Sequence, residues 1–150
     1  MNRSQAQDLL SEFGKLAGIE DIELDEDGAG AIVIDNKIII SVGFNEIAKN
    51  LVFMATLDEC EPNEAQMRKM LEANFLWRGA GGANFAIAPK ADVIVLLYPV
   101  PVDTTAIELQ LLFISFVEMV EDWQNRLVDN QGIPDQLSPA ISNETSMIWG

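Results

Sequence analysis

The stretch Ala31-Ile32-Val33-Ile34-Asp35-Asn36-Lys37-Ile38-Ile39-Ile40-Ser41-Val42 decides the fold class. Its two β-branched runs, Ala31–Ile34 and Ile38–Val42, are short and suit a pleated surface. Asp35-Asn36 between them supplies a tight hairpin turn. Upstream, Ile22–Leu24 reads as another short strand, followed by an Asp25-Glu26-Asp27-Gly28 turn. Downstream, Leu51–Leu57 reads as a strand whose two faces, Leu51/Phe53/Ala55/Leu57 and Val52/Met54/Thr56, are both largely apolar. Such a strand sits centrally in its sheet or is covered on both sides.

Further out, the period changes from two to 3.6. Ala6, Leu9, Leu10, Phe13, Leu16 and Ala17 predict a helix over Gln5–Ala17, capped by a Ser4/Gln7 box and ended by Gly18. Gly14 inside it marks close packing or a weak point. Pro62 suits the first turn of a second helix carrying Met67, Met70, Leu71, Asn74 and Phe75. Gly79–Gly82 then turns the chain into a second hairpin, Ala83–Ala88 with Val93–Tyr98, stopped by Pro99 and Pro101. Asp103 is positioned to cap a last long helix, striped with Leu109, Phe113, Phe116, Val120, Trp123 and Leu127. Ile107, Leu111, Ile114 and Val117 widen that stripe until the first half of the helix is apolar nearly all round. The surplus predicts a partner surface, most simply a homodimer seam that takes in Leu109, Phe113 and Phe116 or Met67, Met70 and Phe75.

The order is α-β-β-β-β-α-β-β-α, an α+β fold with an antiparallel sheet flanked by helices. Residues 1–129 read as one domain. Residues 130–150, with Pro134 and Pro139, read as a flexible or loosely docked tail that folding does not need, anchored if at all by Met147-Ile148-Trp149.

Composition narrows the function. The 150-residue chain carries 9 basic and 24 acidic side chains, a formal net charge of −15. That field repels phosphate, so neither nucleic acid nor an anionic membrane is expected as a partner, whereas a basic protein segment is favoured. There is no histidine, which removes imidazole bases and the commonest zinc sites. The lone Cys60 forms no intrachain disulfide and fits a reducing compartment. No apolar signal core follows Met1, and no apolar run approaches membrane-spanning length, so the cytoplasm is the expected location.

Motifs for catalysis fail on inspection. Glu23, Asp25, Asp27 and Gly28 imitate half a calcium loop, but Ile34 stands where the closing carboxylate belongs. The Gly79–Gly82 cluster lacks the lysine and hydroxyl of a phosphate loop. The carboxylate groups Asp58/Glu59/Glu61 and Glu118/Glu121/Asp122 give no sign of meeting. Cys60 has acidic neighbours, which raise a thiol pKa, and no base to activate it. The sequence thus leads to no enzyme, no metal and no cofactor. Trp77, beside Arg78 and the glycines, is the tryptophan best placed for an interface.

Taken in order, Leu9-Leu10-Ser11-Glu12-Phe13-Gly14-Lys15-Leu16-Ala17-Gly18-Ile19, the Leu24–Gly28 turn, Met70-Leu71-Glu72-Ala73-Asn74-Phe75-Leu76 and the long helix through Trp123 resemble the Tir chaperone family, the class I chaperones of bacterial type III secretion. The resemblance spans Ser4 to Leu127. It implies an ATP-independent, homodimeric bacterial chaperone that binds the extended N-terminal region of a secreted effector, keeps it soluble and secretion-competent, and hands it to the export machinery, with the export ATPase as a further partner. Carried over by segment, effector contacts fall on Leu9, Leu10, Phe13 and Leu16 of the first helix and on Ile32, Ile34, Ile39, Val42 and Val52 of the sheet, with the sheet face left open. The alternatives are an acidic dimeric adaptor or regulator outside secretion, and a small carboxylate-dependent enzyme.

Overall fold

The computed structural model describes residues 1–57 and 61–129. The expectations for Asp58, Glu59, Cys60 and the 130–150 tail lie outside the described residues. The elements run α1 (Arg3–Ala17), β1 (Ala29–Ile34), β2 (Ile38–Asn45), β3 (Asn50–Thr56), α2 (Glu64–Asn74), a 3-10 turn (Phe75–Trp77), β4 (Asn84–Ala88), β5 (Val93–Pro99) and α3 (Ala106–Asp129). The five strands form one antiparallel sheet in the order β1-β2-β3-β5-β4. The α+β class holds, and β3 is the central strand, as its two apolar faces require.

Four local expectations change. Asn63 rather than Pro62 opens the second helix, which starts at Glu64 and leaves Pro62 ahead of the cap. Of the other three, two change through one side chain. The Gln7 carboxamide donates to Ile22 O and accepts from Leu24 N, both at 2.9 Å. A side chain of α1 thus occupies backbone groups that a strand over Ile22–Leu24 would have used, and the sheet has three strands before α2 rather than four. Gln7 is therefore not the capping partner of Ser4. Asn2 caps α1 instead, accepting from Gln5 N at 2.8 Å while Gln5 Oε1 accepts from Asn2 N at 2.9 Å. Similarly, Thr105 rather than Asp103 starts α3: Glu108 Oε2 accepts from Thr105 N at 2.8 Å, and Thr105 Oγ1 accepts from Glu108 N at 3.3 Å.

Other expectations stand. Asp35 and Asn36 adopt φ 50° and 54°, the left-handed pair of a type I′ turn. Gly18 caps α1 at φ 69°. Gly14 is a close-packing glycine, since a Cβ there would lie 2.7 Å from Ile19 O.

Alternation along the strands builds the core. Ile32 of β1, Ile40 and Val42 of β2, Leu51 and Phe53 of β3, and Leu96 of β5 point to one face, all nearly fully buried. α1 brings Leu10 and Phe13 to that face, and α3 brings Leu109, Phe113, Phe116, Val120 and Trp123. Edge-on ring pairs tie the layers together. Phe113 lies 5.2 Å from Phe13 and 5.3 Å from Phe53, and Trp123 lies 4.6 Å from Phe85.

Candidate functional site

The other face of the sheet carries Ala31 and Val33 of β1, Ile39, Ser41 and Gly43 of β2, Val52 and Met54 of β3, and Leu97 of β5. None is charged, in a chain whose net charge is −15. Val33 and Ile39 stand directly opposite each other and are 57% and 60% exposed. This is an apolar platform on an acidic protein.

The platform ends at an open strand edge. Phe44 N donates to Gly28 O at 2.8 Å. The antiparallel alternation then assigns Gly30, Ile32 and Ile34 to the bonds with β2. The N–H and C=O groups of Ala31 and Val33 therefore point away from the sheet, and no hydrogen bond from another described residue closes them. At Ala29 the edge is already used, because Ala29 O accepts from Asp25 N and Asp25 Oδ1 accepts from Ala29 N. The opposite edge differs. On β4, Asn74 of α2 accepts from Phe85 N at 2.7 Å and donates to Phe85 O at 3.1 Å, in the manner of a neighbouring strand.

A second apolar surface lies on α2 and the turn after it. Gln66, Met70 and Ala73 face inward, and Gln66 Nε2 donates to Leu127 O at 3.1 Å. Met67, Leu71 and Phe75 face out, Leu71 70% exposed. Leu76 and Trp77 follow at φ 54° and 57°, a backbone that costs bulky residues about 1–3 kcal/mol each. Both are exposed.

These placements sort the expected contact residues. Leu10, Phe13, Ile32 and Val42 are corrected: at 0–1% exposure they are interior side chains of the protomer and have no surface to offer. Leu9 and Ile34 are half-buried against the same core. Leu16, Ile39 and Val52 remain accessible, the last two on the platform. Among the expected seam residues, Leu109, Phe113, Phe116 and Met70 are likewise corrected, because they are buried in the protomer's own core. Met67, Phe75 and Trp77 are exposed. The surplus read from α3 is present, but on Ile107, Leu111 and Ile114. Val33, Leu71 and Leu76 were missed. Leu71 was readable, since it falls four residues from both Met67 and Phe75.

Nothing among the described residues resembles a reaction centre. Among the described residues, no group of three or more Cys, Asp or Glu is placed to hold a metal. Glu118, Glu121 and Asp122 are exposed, and Asp122 pairs with Arg126 at 2.8 Å. Among the described residues, no helix is long and apolar enough to cross a membrane.

Among the described residues, an open apolar sheet face, a strand edge without a partner and a hydrophobic helix face suit a protein that holds other polypeptides. Comparison with known proteins agrees. Residues 8–124 match the model of the Tir chaperone protein (CesT) family, and the chain belongs to that family of chaperones. No curated protein sequence matches it significantly. Its fold is similar to that in the HopA1–SchA chaperone–effector complex, with a TM-score of 0.70, 14% identity, and coverage of 82% of this chain and 95% of that one. It is similar also to that in the ExsC–ExsE complex, with a TM-score of 0.71, 20% identity, and coverage of 85% and 97%. The Yersinia pestis type III secretion chaperone SycH, in complex with a fragment of YscM2, gives a TM-score of 0.64, 25% identity, and coverage of 79% and 98%.

Proposed function

We propose that this chaperone binds an extended, apolar N-terminal segment of one or more type III secreted effectors in the bacterial cytoplasm, without ATP, and keeps it competent for export. One observation carries the reading: an uncharged platform centred on Val33 and Ile39 ends at the unpaired backbone of Ala31 and Val33. An extended segment can pair with that edge and lay alternate side chains on the platform, gaining affinity without demanding one sequence. Of the expected contacts, Ile39 and Val52 belong to this platform, whereas Leu9 and Leu16 lie on α1 and Ile34 on the core-facing side of β1. The charge of −15 keeps the loaded complex soluble and favours a basic segment.

The working unit is a homodimer whose seam is the exposed face of α2 and its turn, Met67, Leu71, Phe75 and Trp77. An export ATPase of the secretion apparatus is the expected recipient. Capture from a secreting bacterium with the wild type and with a Val33→Asp/Ile39→Asp variant tests the first claim. A secreted protein with a protease-protected N-terminal fragment, lost in the folded variant, is the expected outcome. A folded variant that captures as well as wild type overturns it, and capture only of non-secreted proteins favours the adaptor reading. Sedimentation equilibrium tests the second, since a species at the 16.5 kDa chain mass contradicts the dimer.

A further inference from the structure

The first half of α3 presents a third apolar surface that neither the platform nor the α2 seam uses. Ile107, Leu111 and Ile114 lie along one line of its solvent side and are 65%, 61% and 48% exposed. Glu118 and Glu121 continue that line by the helical period and are also exposed. Beside Leu111 a shallow groove of about 440 Å³ runs between α3 and the preceding loop, bordered by Pro101, Thr104 and Ser115 and by the carboxylates of Asp103 and Glu108. We infer that this face is a docking site for a basic amphipathic helix of a second protein. The helix lies antiparallel to α3, with its apolar side chains over Ile107, Leu111 and Ile114 and its lysines or arginines over Glu118 and Glu121. The site is independent of the effector reading.

Charge and geometry select that occupant. No lysine or arginine falls between Lys90 and Arg126, whereas Asp103, Glu108, Glu118, Glu121 and Asp122 do. Asp122 is paired with Arg126 at 2.8 Å, but among the described residues no cation pairs with Glu118 or Glu121. The face is therefore apolar over about two turns and negative over the next. From Ile107 to Glu121 it is about 21 Å long, the span of a helix of about four turns. In an antiparallel partner the facing side chains recur at i, i+3, i+7, i+10 and i+14, the spacing of 121, 118, 114, 111 and 107. That direction also sets the positive end of the incoming helix dipole against the two glutamates. Other occupants fit less well. A second copy paired antiparallel about Leu111 would bring Glu118 of each chain toward Asp103 and Glu108 of the other, and an anionic membrane would be repelled. Because α3 covers the inner face of the sheet, this surface points away from the platform, and a helix docked here leaves Val33 and Ile39 open.

The test titrates a synthetic, end-capped helical peptide into the ¹⁵N-labelled full chain at low salt. The peptide carries lysines at i and i+3 and leucines at i+7, i+10 and i+14 on an alanine and glutamine background. Saturable shifts are expected at the Ile107, Leu111, Ile114 and Glu118 amides. Affinity should fall about tenfold in Glu118→Lys/Glu121→Lys. A second peptide with glutamates in place of the lysines should bind that variant about tenfold more tightly than it binds wild type. Both substitutions lie on the exposed side of α3, so the variant folds. The swap separates a local charge match from the general pull of an acidic protein on a basic peptide. Leu111→Asp should abolish binding of either peptide. A scrambled peptide of the same composition that binds as tightly overturns the inference, as do shifts that map to the platform instead of α3. Concentration-dependent shifts at Ile107, Leu111 and Ile114 with no peptide present also overturn it, because a second copy would then occupy the face.

Discussion

The two faces of the sheet are built from the same kinds of side chain and do opposite work. On the inner face Ile32, Ile40, Val42 and Phe53 are sealed under Phe13 and Phe113. On the outer face Val33 and Ile39, one residue along the same strands, stand more than half exposed. The difference lies in helix coverage rather than hydrophobicity. The two sheet edges repeat the lesson: Asn74 closes β4 at Phe85, and no described residue does the same for β1 at Ala31 and Val33. An apolar surface left open beside a free strand edge is a liability in an ordinary globule, and here it is the surface proposed to receive the effector segment.

The largest expected effects separate the faces. Phe53→Ala should cost about 3–5 kcal/mol in urea denaturation through cavity formation. Leu10→Asp and Phe13→Asp should fail to fold, because each buries an unpaired charge. Ile39→Asp, by contrast, should stay within about 0.5 kcal/mol of wild type. A folded Phe13→Asp with an unchanged midpoint would break the comparison. Next in size, Asn74→Ala removes both groups that close the β4 edge and leaves Phe85 unsatisfied. A loss of about 1–3 kcal/mol is expected, with faster amide exchange at Phe85, and no change in either would show that edge to be as open as β1.

The smallest effect concerns the start of α3, beside the exposed apolar helix face. The Thr105 backbone N–H, and then its hydroxyl, donate to Glu108 and hold its carboxyl below the usual carboxylate range. A depressed folded-state pKa contributes stability above the unfolded value, and that contribution disappears as pH falls through the folded one. Glu108→Gln should therefore lose a small part of the neutral-pH stability, and the difference from wild type should shrink on acidification. Thermal melts at neutral and acidic pH measure it.

Much of this was legible in the sequence. The β1–β2 hairpin, the central position of β3, the buried stripe of α3 and the family resemblance follow from period, turn chemistry and residue order. Which face of each strand looks inward did not follow. In Ala31–Ile34 and Ile38–Val42 both parities are apolar, so Ile32 and Val42 could not be told from Val33 and Ile39 before the helices were in place. The caps misled for a related reason. Asn2/Gln5 and Ser4/Gln7 both satisfy the capping-box spacing, and only the tertiary contacts of Gln7 with Ile22 and Leu24 decide between them. Seam residues on α3 were misassigned because an all-round apolar helix does not announce which side its own sheet will cover.

Amide hydrogen exchange at Ala31 and Val33 tests the central claim most directly. The chaperone is measured alone and with the protease-protected N-terminal segment of its secreted partner. The account predicts that both amides exchange freely in the unbound protein and at least tenfold more slowly in the complex, while Ile32 and Ile40, already bonded within the sheet, change little. Tight binding of that segment with the Ala31 and Val33 amides still exchanging freely would contradict it.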